Sequence, residues 1–162
     1  MGVGTSLSAL EFEIAGQFAA RKQTLAVAES CTGGLIAHRI TNVPGSSRYF
    51  LGGIVAYSNE AKVRFLGVSA DDIAAYGAVS EPVARQMAEG AKARFGADVG
   101  VGVTGVAGPD GGTPEKPVGL VYVACACRIG TRVVRSEFTG SREEIKRKSA
   151  ETALNSIREC LS

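Results

Sequence analysis

The longest apolar run in the chain, Val118 to Cys127, covers ten residues without a charged side chain. It is too short to span a bilayer, which needs about 20 residues. An unbroken run of this kind is typical of a β-strand that is buried on both faces, and such strands lie in sheets that helices cover on both sides. The run therefore favours a layered α/β domain and gives no indication of a membrane partner.

The other hydrophobic periodicities place four further strands and six helices around this run. Together they predict a single three-layer α/β/α domain over residues 1–162, with a mixed sheet of about five strands. Besides Val118–Cys127, the predicted strands are Thr24–Ala28, Tyr49–Tyr57, Asp98–Thr104 and, at an edge of the sheet, Thr131–Phe138. The predicted helices run from about Ser6 to Arg21, Thr32 to Ile40, Glu60 to Leu66, Ala70 to Tyr76, Ser80 to Gly96 and Ser141 to Cys160.

Local signals mark several of these boundaries. Four helices are expected to begin at a capping side chain, namely at Ser8 (with Glu11), Asn59, Ser80 and Ser141 (with Glu144). Pro44-Gly45 fits a tight type II turn between the second helix and the second strand. Gly52-Gly53 would weaken that strand, so the pair indicates a bend or a close neighbour.

Composition narrows the classes of function. The net charge is only +2 and no basic run is present, which argues against a nucleic-acid partner or a membrane surface. The four cysteines form no CxxC pair and His38 is the only histidine, so we expect no metal site and no cofactor. Cys125 and Cys127 alternate on a predicted strand and are expected to be small core residues. The chain is expected to be cytoplasmic and reduced.

Polar residues follow three predicted strands at their C-terminal ends: Glu29-Ser30, Tyr57-Ser58-Asn59 and Thr104-Gly105. If the three strands are parallel neighbours, these ends meet in the crevice where open α/β sheets bind ligands. The helix that begins near Thr32 adds free N–H groups, which can hold an anion or an oxyanion. Ser30 is therefore placed like a nucleophile; the alternative is that Ser30 and Thr32 only cap the helix.

A serine nucleophile needs a group that takes its proton. His38 lies eight residues after Ser30, two turns along the helix, which disfavours a Ser–His–Asp triad. Lys62 is the candidate base if its pKa is lowered; the alternative is a solvated helix lysine. Tyr57 can hold or relay the proton, or it is a strand aromatic at the rim. Thr104 can donate a hydrogen bond, or it is an ordinary strand residue.

Two neighbours of Ser30 are alternatives for its role. Cys31 can itself be the nucleophile, but adjacent side chains point in different directions, so we prefer Ser30. Glu29 is either a general base or a hydrogen-bonded structural residue. The glycine loop 105–112 resembles a phosphate cradle in composition, but it contains neither GxxxxGK[ST] nor GxGxxG. The residues alone thus indicate a site for a small anionic ligand.

Five ordered motifs resemble the CinA C-terminal domain family, the nicotinamide mononucleotide amidase (deamidase) group. They are Ala28–Gly34, Tyr57–Lys62, Gly77–Val83, Thr104–Gly112 and Lys116–Gly119. The resemblance extends from about residue 7 to residue 160. It implies hydrolysis of nicotinamide mononucleotide to nicotinate mononucleotide and ammonia, in pyridine nucleotide recycling. It also implies a homodimer.

Carried over residue by residue, the resemblance implies Ser30 as nucleophile and Lys62 as general base. It implies that Tyr57 and Thr104 assist in the site and that Arg142 lies near the substrate. Combined with the residue analysis, it predicts backbone N–H groups around Thr32–Gly34 as oxyanion donors. The 5′-phosphate is assigned to the glycine loop after Thr104 and to Arg142. Together with the oxyanion donors, the predicted substrate-binding residues are Thr32, Gly33, Gly34, Gly105, Gly108 and Arg142.

Two other functions stay open at this point. One is a non-catalytic nucleotide-binding module, accessory to competence or the DNA damage response, as the family's name suggests. The other is an amidase with another pyridine or small-amide substrate. Longer members of the family carry an additional N-terminal domain with pyrophosphatase-type chemistry, and the motifs found here give no reason to transfer that activity to this chain.

Overall fold

The computed structural model describes residues 8–162, and the strands in this range form one five-stranded sheet. Its strands are β1 Leu25–Glu29, β2 Phe50–Val55, β3 Val99–Gly105, β4 Leu120–Cys127 and β5 Gly130–Glu137. The helices are α1 Ala9–Arg21, α2 Leu35–Thr41, α3 Asn59–Leu66, α4 Ala70–Tyr76, α5 Glu81–Phe95 and α6 Arg142–Leu161, with a 3₁₀ turn at Ser46–Arg48. No helix in the described range is both long enough and apolar enough to cross a membrane.

The sheet is mixed, in the order β2-β1-β3-β4-β5. Strands β2, β1 and β3 are parallel, whereas β4 pairs antiparallel with β3 and β5 pairs antiparallel with β4. The predicted α/β class and mixed five-stranded sheet are confirmed, and so is the edge position of β5. Because β2, β1 and β3 are parallel neighbours, their carboxyl ends meet at one edge of the sheet, as the site prediction required.

Alternation along the strands assigns each face of the sheet to a helical layer. Large side chains such as Val27 on β1 and Val123 on β4 face the core with α1, α2 and α6. The opposite face carries alanine and glycine, and α5 packs there directly on β3. A Cβ on Gly102 would lie 2.5 Å from Ala88 N. The glycines of β3 thus permit a helix–sheet approach that larger residues would block.

The two predicted features around the second strand are both present. Ser46 N donates to Val43 O at 3.1 Å, and Gly45 has φ 85° and ψ 3°, as a type II turn requires. A Cβ on Gly52 would lie 2.6 Å from Phe95 Cε1, and one on Gly53 would lie 2.7 Å from a Val27 methyl group. The glycine pair therefore marks close neighbours on both faces of β2.

The capping predictions had mixed outcomes. The capping box of Ser141 and Glu144 at the start of α6 is confirmed. The box predicted at Ser8 is wrong, because the Ser8 hydroxyl donates to the Glu11 carboxylate and caps no N–H. The helix start expected near Ser6 lies outside the described residues.

Two further caps are corrected. Asn59 was expected to cap α3, but Ser58 does so, since its Oγ accepts from Ala61 N at 3.1 Å. Ser80 precedes α5 as predicted, yet its hydroxyl donates to Gly77 O at 2.8 Å and leaves the helix N–H groups free. In both cases a neighbouring polar group competes successfully for the expected hydrogen bond.

Candidate active site

A cavity of about 210 Å³ opens at the shared carboxyl edge of β1, β2 and β3. It brings together most of the predicted site residues, together with some that carried no functional prediction. Its lining residues are Ser30, Cys31, Tyr57, Asn59, Lys62, Ala78, Val79, Thr104, Gly105, Ala107 and Arg142.

Ser30 occupies the first position after β1. Its N–H donates to Val103 O at 3.0 Å, which continues the β1–β3 ladder by one residue and fixes the backbone. The side chain is only 7% exposed, and its Oγ accepts a hydrogen bond from Lys62 Nζ at 3.0 Å. The strand end thus holds a nearly buried hydroxyl with a lysine beside it.

Lys62 lies in the first turns of α3 and is 2% exposed, so it is not a solvated helix lysine. Its Nζ donates to Ala56 O at 2.9 Å and Tyr57 O at 3.1 Å, in addition to Ser30. Ala56 is itself fixed, because its N–H donates to Glu29 O at 2.9 Å. No salt bridge involves Lys62 among residues 8–162. Burial therefore lowers the pKa of Lys62, against a smaller opposite effect of Cys31.

These contacts suit the neutral form of the amine. A neutral Nζ has two N–H groups and one lone pair. The carbonyls of Ala56 and Tyr57 are acceptors only, so they take both N–H groups. In that form the lone pair is left for the third neighbour, so the Ser30 hydroxyl would donate to Nζ instead of accepting from it. The contacts of Lys62 are therefore compatible with the neutral amine as well as with the ammonium.

Cys31 and Glu29 do not replace Ser30 or Lys62. Burial raises the pKa of the Cys31 thiol to about 11, which disfavours the thiolate that a cysteine nucleophile needs. The Glu29 carboxylate accepts from Gly34 N at 2.9 Å, Ile36 N at 3.2 Å and Ala37 N at 2.8 Å. It caps α2, so the structural alternative for Glu29 is the one observed.

The predicted oxyanion donors must be corrected for the same reason. Gly34 N is taken by Glu29 and Gly33 N donates to Ser30 O at 3.0 Å, and neither glycine lines the cavity. Within the described chain, no oxygen atom accepts from the N–H groups of Cys31 and Thr32. The buried Thr32 hydroxyl also lacks a partner there. The donors that stay free are thus Cys31, which lines the cavity, and Thr32 next to it.

Arg142, the first residue of α6, stands at the mouth of the cavity. Its Nη1 donates to Gly108 O at 2.7 Å, and its Nη2 donates to Tyr57 Oη at 2.9 Å. The Tyr57 side chain is 60% exposed, so the rim alternative describes it better than a proton relay. Tyr57 meets Lys62 through its carbonyl oxygen and not through its hydroxyl.

Thr104 also differs from its prediction. Its side chain is buried, and its Oγ1 donates to Ala78 O at 2.9 Å. The hydroxyl proton is therefore committed within the protein, and toward the cavity the oxygen can only accept. The bond also holds the segment before α5 over the end of β3, which brings Ala78 and Val79 into the cavity wall.

The glycine loop after β3 is explained by packing. A Cβ on Gly105 would lie 2.7 Å from a Val121 methyl group, and one on Gly108 would lie 2.4 Å from a Val118 methyl group. Gly105 lines the cavity, but Gly108 does not and contributes only the carbonyl that holds Arg142. A phosphate cradle in this loop is thus not needed to account for its glycines.

Some lining residues carried no functional prediction. Asn59 was assigned only as a cap, and no role was given to Ala78 and Val79, although both lie in a motif that carried the family resemblance. His38 lies near the end of α2, where its Nε2 is 3.2 Å from Asn42 Nδ2. Among residues 8–162, no group of three or more histidine, cysteine or acidic side chains has an arrangement that could hold a metal ion.

Comparison with known sequences places this architecture in a family. The profile of the CinA C-terminal domain matches residues 7–161. The chain belongs to the CinA C-terminal domain family. A CinA-like protein of Gemmatimonas aurantiaca is 59% identical over 140 residues, which are 86% of this chain and 33% of the relative. The chain spans about a third of the length of the curated relatives it matches.

Solved structures of CinA proteins have the same fold. The competence/damage inducible protein CihA from Agrobacterium tumefaciens is 39% identical, with a TM-score of 0.95 over 100% of both chains. The competence damage-inducible protein A (ComA) from Klebsiella pneumoniae is 37% identical, with a TM-score of 0.90 over 94% of both chains. This CinA domain therefore has the family fold, with a buried Ser–Lys contact, the N–H group of Cys31 and an arginine at one cavity.

Proposed function

We propose that this CinA domain is an amidase that hydrolyses nicotinamide mononucleotide to nicotinate mononucleotide and ammonia, in pyridine nucleotide recycling. The observation that supports the chemistry is the 3.0 Å contact between Lys62 Nζ and Ser30 Oγ at a buried strand end. The choice of substrate rests on the resemblance of the five motifs. No metal or cofactor enters the proposed reaction.

The first half of the reaction forms an acyl-enzyme. Neutral Lys62 takes the proton of Ser30 while Oγ attacks the carboxamide carbon. The carbonyl oxygen becomes an oxyanion, which the free N–H groups of Cys31 and Thr32 stabilise. When the tetrahedral intermediate collapses, the C–N bond breaks, and protonated Lys62 gives its proton to the departing ammonia.

The second half returns the enzyme to its starting state. Water attacks the ester carbon, and Lys62 accepts the proton that the water loses. The C–O bond to Ser30 breaks, Lys62 returns that proton to the serine oxygen, and the carboxylic acid product loses its remaining proton to solvent and leaves as a carboxylate. Lys62 is neutral again at the end, so one base serves both steps.

Two side chains are suited to recognise the substrate. Thr104 Oγ1 can only accept toward the cavity, so it is suited to the NH₂ group of a carboxamide. Arg142 donates through one nitrogen to Gly108 O and through another to Tyr57 Oη, and these bonds hold its positive charge at the mouth of the cavity. A cavity of about 210 Å³ suits the pyridine carboxamide, with the ribose phosphate extending outward to Arg142.

The test is ammonia release from nicotinamide mononucleotide. Ser30→Ala and Lys62→Ala should each lower kcat by at least about 1,000-fold, since nucleophile and base act as a unit. Lys92→Ala is the control: it removes a lysine of α5 outside this cavity and should retain parental turnover. Full activity in Ser30→Ala would eliminate the mechanism.

A non-catalytic nucleotide-binding module is the second candidate. The observation that supports it is that the names of the relatives refer to competence and damage. Calorimetry that shows mononucleotide binding without turnover at any pH would support this alternative. A panel of other pyridine nucleotides and small amides would distinguish a different amidase substrate from the proposed one.

We also propose that the domain forms a homodimer, as the resemblance implies. The β2 edge of the sheet exposes Leu51 and Val55, and Phe65 of α3 is also exposed. An apolar edge strand of this kind favours association with another chain. Light scattering after size exclusion should give twice the chain mass of 16.7 kDa, and a monomer at all concentrations would contradict the proposal.

A further inference from the structure

Three of the four cysteines converge where the end of α6 packs on β4. Cys125 is buried in the core, and Cys127 and Cys160 pack against that core while partly accessible to solvent. Cys160 Sγ donates to Cys125 O at 3.9 Å, and the thiols of Cys125 and Cys127 are near enough to the Cys160 thiol to act on its pKa. The three cysteines therefore form one cluster at the end of α6.

This thiol cluster, Cys125, Cys127 and Cys160, lies at the opposite end of the sheet from the candidate active site. Strand β4 is antiparallel to β3, so Val121 pairs with Gly105 at the cavity, whereas Cys125 pairs with Val101 farther down the strand. None of the three cysteines lines the cavity. The amidase chemistry proposed above makes no use of them.

The surroundings of the cluster give Cys160 a lower thiol pKa than the other cysteines of the cluster. The hydrogen bond from Cys125, together with that from Cys127 and the positive charge of Arg132, lowers the pKa of Cys160 to about 7, against burial and the charge of Glu159. Arg132 on β5 pairs with Glu159 at 2.6 Å. Lys92 of α5 is a further charge, which acts on Cys127. A partly accessible thiol in such an environment is the reactive kind.

The arrangement is suited to oxidation and not to metal binding. Within residues 8–162, no group of three or more cysteine, histidine or acidic side chains could hold a metal ion. A reactive thiol beside a second thiol is instead the arrangement in which a first oxidation product is captured as a disulfide.

We propose that Cys160 is a peroxide-sensitive thiol that forms a disulfide with one of its two contacts on β4, Cys125 or Cys127, and so ties the end of α6 to the sheet. The Cys160 thiolate attacks hydrogen peroxide, an S–O bond forms, the O–O bond breaks, and sulfenic acid and water result after proton uptake. The strand thiol then attacks the Cys160 sulfur, loses its proton, and releases a second water. Two thiols are oxidised by two electrons in total, and one peroxide is reduced.

Peptide mapping tests the proposal directly. The protein is treated with hydrogen peroxide, remaining thiols are blocked with N-ethylmaleimide under denaturing conditions, and a non-reducing tryptic digest is analysed by mass spectrometry. We expect peptide 159–162 joined to the peptide that carries Cys125 and Cys127, with the mass of the two peptides less two hydrogens plus one N-ethylmaleimide on the third cysteine. Dithiothreitol should reverse the link. Cys160 recovered as a free thiol in excess peroxide, or joined to a second peptide 159–162, would overturn the proposal.

Variants separate the reactive thiol from its partner. Cys160→Ser should abolish the link and leave both strand thiols free, whereas Cys31→Ser, which changes the buried cysteine outside the cluster, should retain it. Single changes of Cys125 and Cys127 to serine identify the partner. Because Cys125 is buried, its substitution can disturb the packing of the core. The result for Cys125→Ser is therefore compared with Cys127→Ser and with the unmodified protein. Iodoacetamide should label Cys160 first at pH 7, and faster labelling of Cys31 would contradict the assignment.

Discussion

At the scale of single residues, the site depends on how Lys62 is held. Within residues 8–162, its ammonium form is buried without a carboxylate partner, and besides Ser30 its acceptors are two main-chain carbonyls. Such a position stabilises a protein poorly, because burying a charge without a counter-charge costs free energy. The cost in stability is that expected of a residue kept for the proposed proton transfer.

Lys62 therefore gives a pH dependence with a defined sign. Burial lowers its pKa in the folded protein, so kcat/KM should rise with pH as the amine loses its proton, with the midpoint below the ordinary lysine value of 10.5. The pH–rate profile measures this. A profile that is flat from pH 6 to pH 10 would contradict a lysine base.

The same position predicts a gain in stability when the base is removed. The unfolded chain binds the Lys62 proton more tightly than the folded one, so the domain should become more stable as pH rises through the lowered pKa. Lys62→Met removes this penalty and should raise stability at pH 7 by about 1 kcal/mol, or roughly 2–4 °C in Tm. Lys92→Met, a change on α5 outside the cavity, is the matched control in a thermal scan.

Thr104 gives a second prediction at this scale. Thr104→Val removes the oxygen that is proposed to accept from the carboxamide and leaves Ala78 O without its donor. We expect kcat/KM to fall by about 10- to 100-fold, as for a lost hydrogen bond of about 1–3 kcal/mol. Thr104→Ser keeps the hydroxyl and should recover most of the activity in the ammonia assay. If valine and serine behave alike, the hydroxyl has no role.

At the scale of elements, α5 lies unusually close to β3. A Cβ on Gly102 would lie 2.5 Å from Ala88 N and 2.7 Å from Ala84 O, both main-chain atoms that cannot turn away. Gly102→Ala should therefore lower the free energy of unfolding by about 2–4 kcal/mol through overpacking. Urea unfolding measures the change.

Gly16 supplies the matched control for this prediction. It lies in α1, and a Cβ there would meet nothing within 4 Å. Gly16→Ala should be neutral or stabilise the domain by up to about 1 kcal/mol, because alanine favours the helix. Equal effects at positions 16 and 102 would show that propensity and not packing decides both.

The elements themselves follow from local patterns. Apolar runs such as Val118–Cys127 predicted the strands, and glycine and proline predicted the turn before β2. Strand ends were displaced by one or two residues at β2, because pairing with β1 and not hydrophobicity determines where a strand stops. The helix caps predicted at Ser8 and Asn59 were wrong because other polar groups compete: the Ser8 hydroxyl donates to the Glu11 carboxylate, and Ser58 accepts from Ala61 N in place of Asn59.

Some residues of the candidate site were predictable from the sequence, but their contacts were not. Strand ends and motifs identified Ser30, Lys62 and Arg142, which the structure brings to one cavity. Which atoms meet depends on contacts between distant segments. The bond of Thr104 to Ala78 O spans 26 residues, and that of Arg142 to Tyr57 spans 85 residues. No local pattern encodes such distances.

At the scale of the whole molecule, an ion-pair network joins three helices on one face of the sheet. Arg39 of α2 donates to Glu11 of α1 at 2.6 Å and lies 2.8 Å from Glu151 of α6. Glu11 is buried, whereas Glu151 is largely exposed. The network thus connects the helix that follows Ser30 with the helix that carries Arg142.

The network predicts how the domain responds to acid. Burial alone would raise the pKa of Glu11, but hydrogen bonds from Arg39 and Ser8 outweigh it and hold the pKa below its ordinary value of 4.5. Its contribution to stability is therefore present above pH 4.5 and is lost as pH falls through the lowered pKa. Glu11→Gln should cost about 1–3 kcal/mol at pH 7 and much less at pH 3. Urea unfolding at both pH values checks this, with Glu13→Gln as the exposed control.

The carbonyls that hold Lys62 belong to Ala56 and Tyr57, and neither side chain makes that contact. A substitution at either position changes the side chain and leaves the acceptor oxygen in place. The orientation of the proposed base therefore depends on the path of the backbone and not on the side chains at these two positions. We expect substitutions around the mouth of the cavity to alter which substrates enter, while the contact between Lys62 and Ser30 is retained.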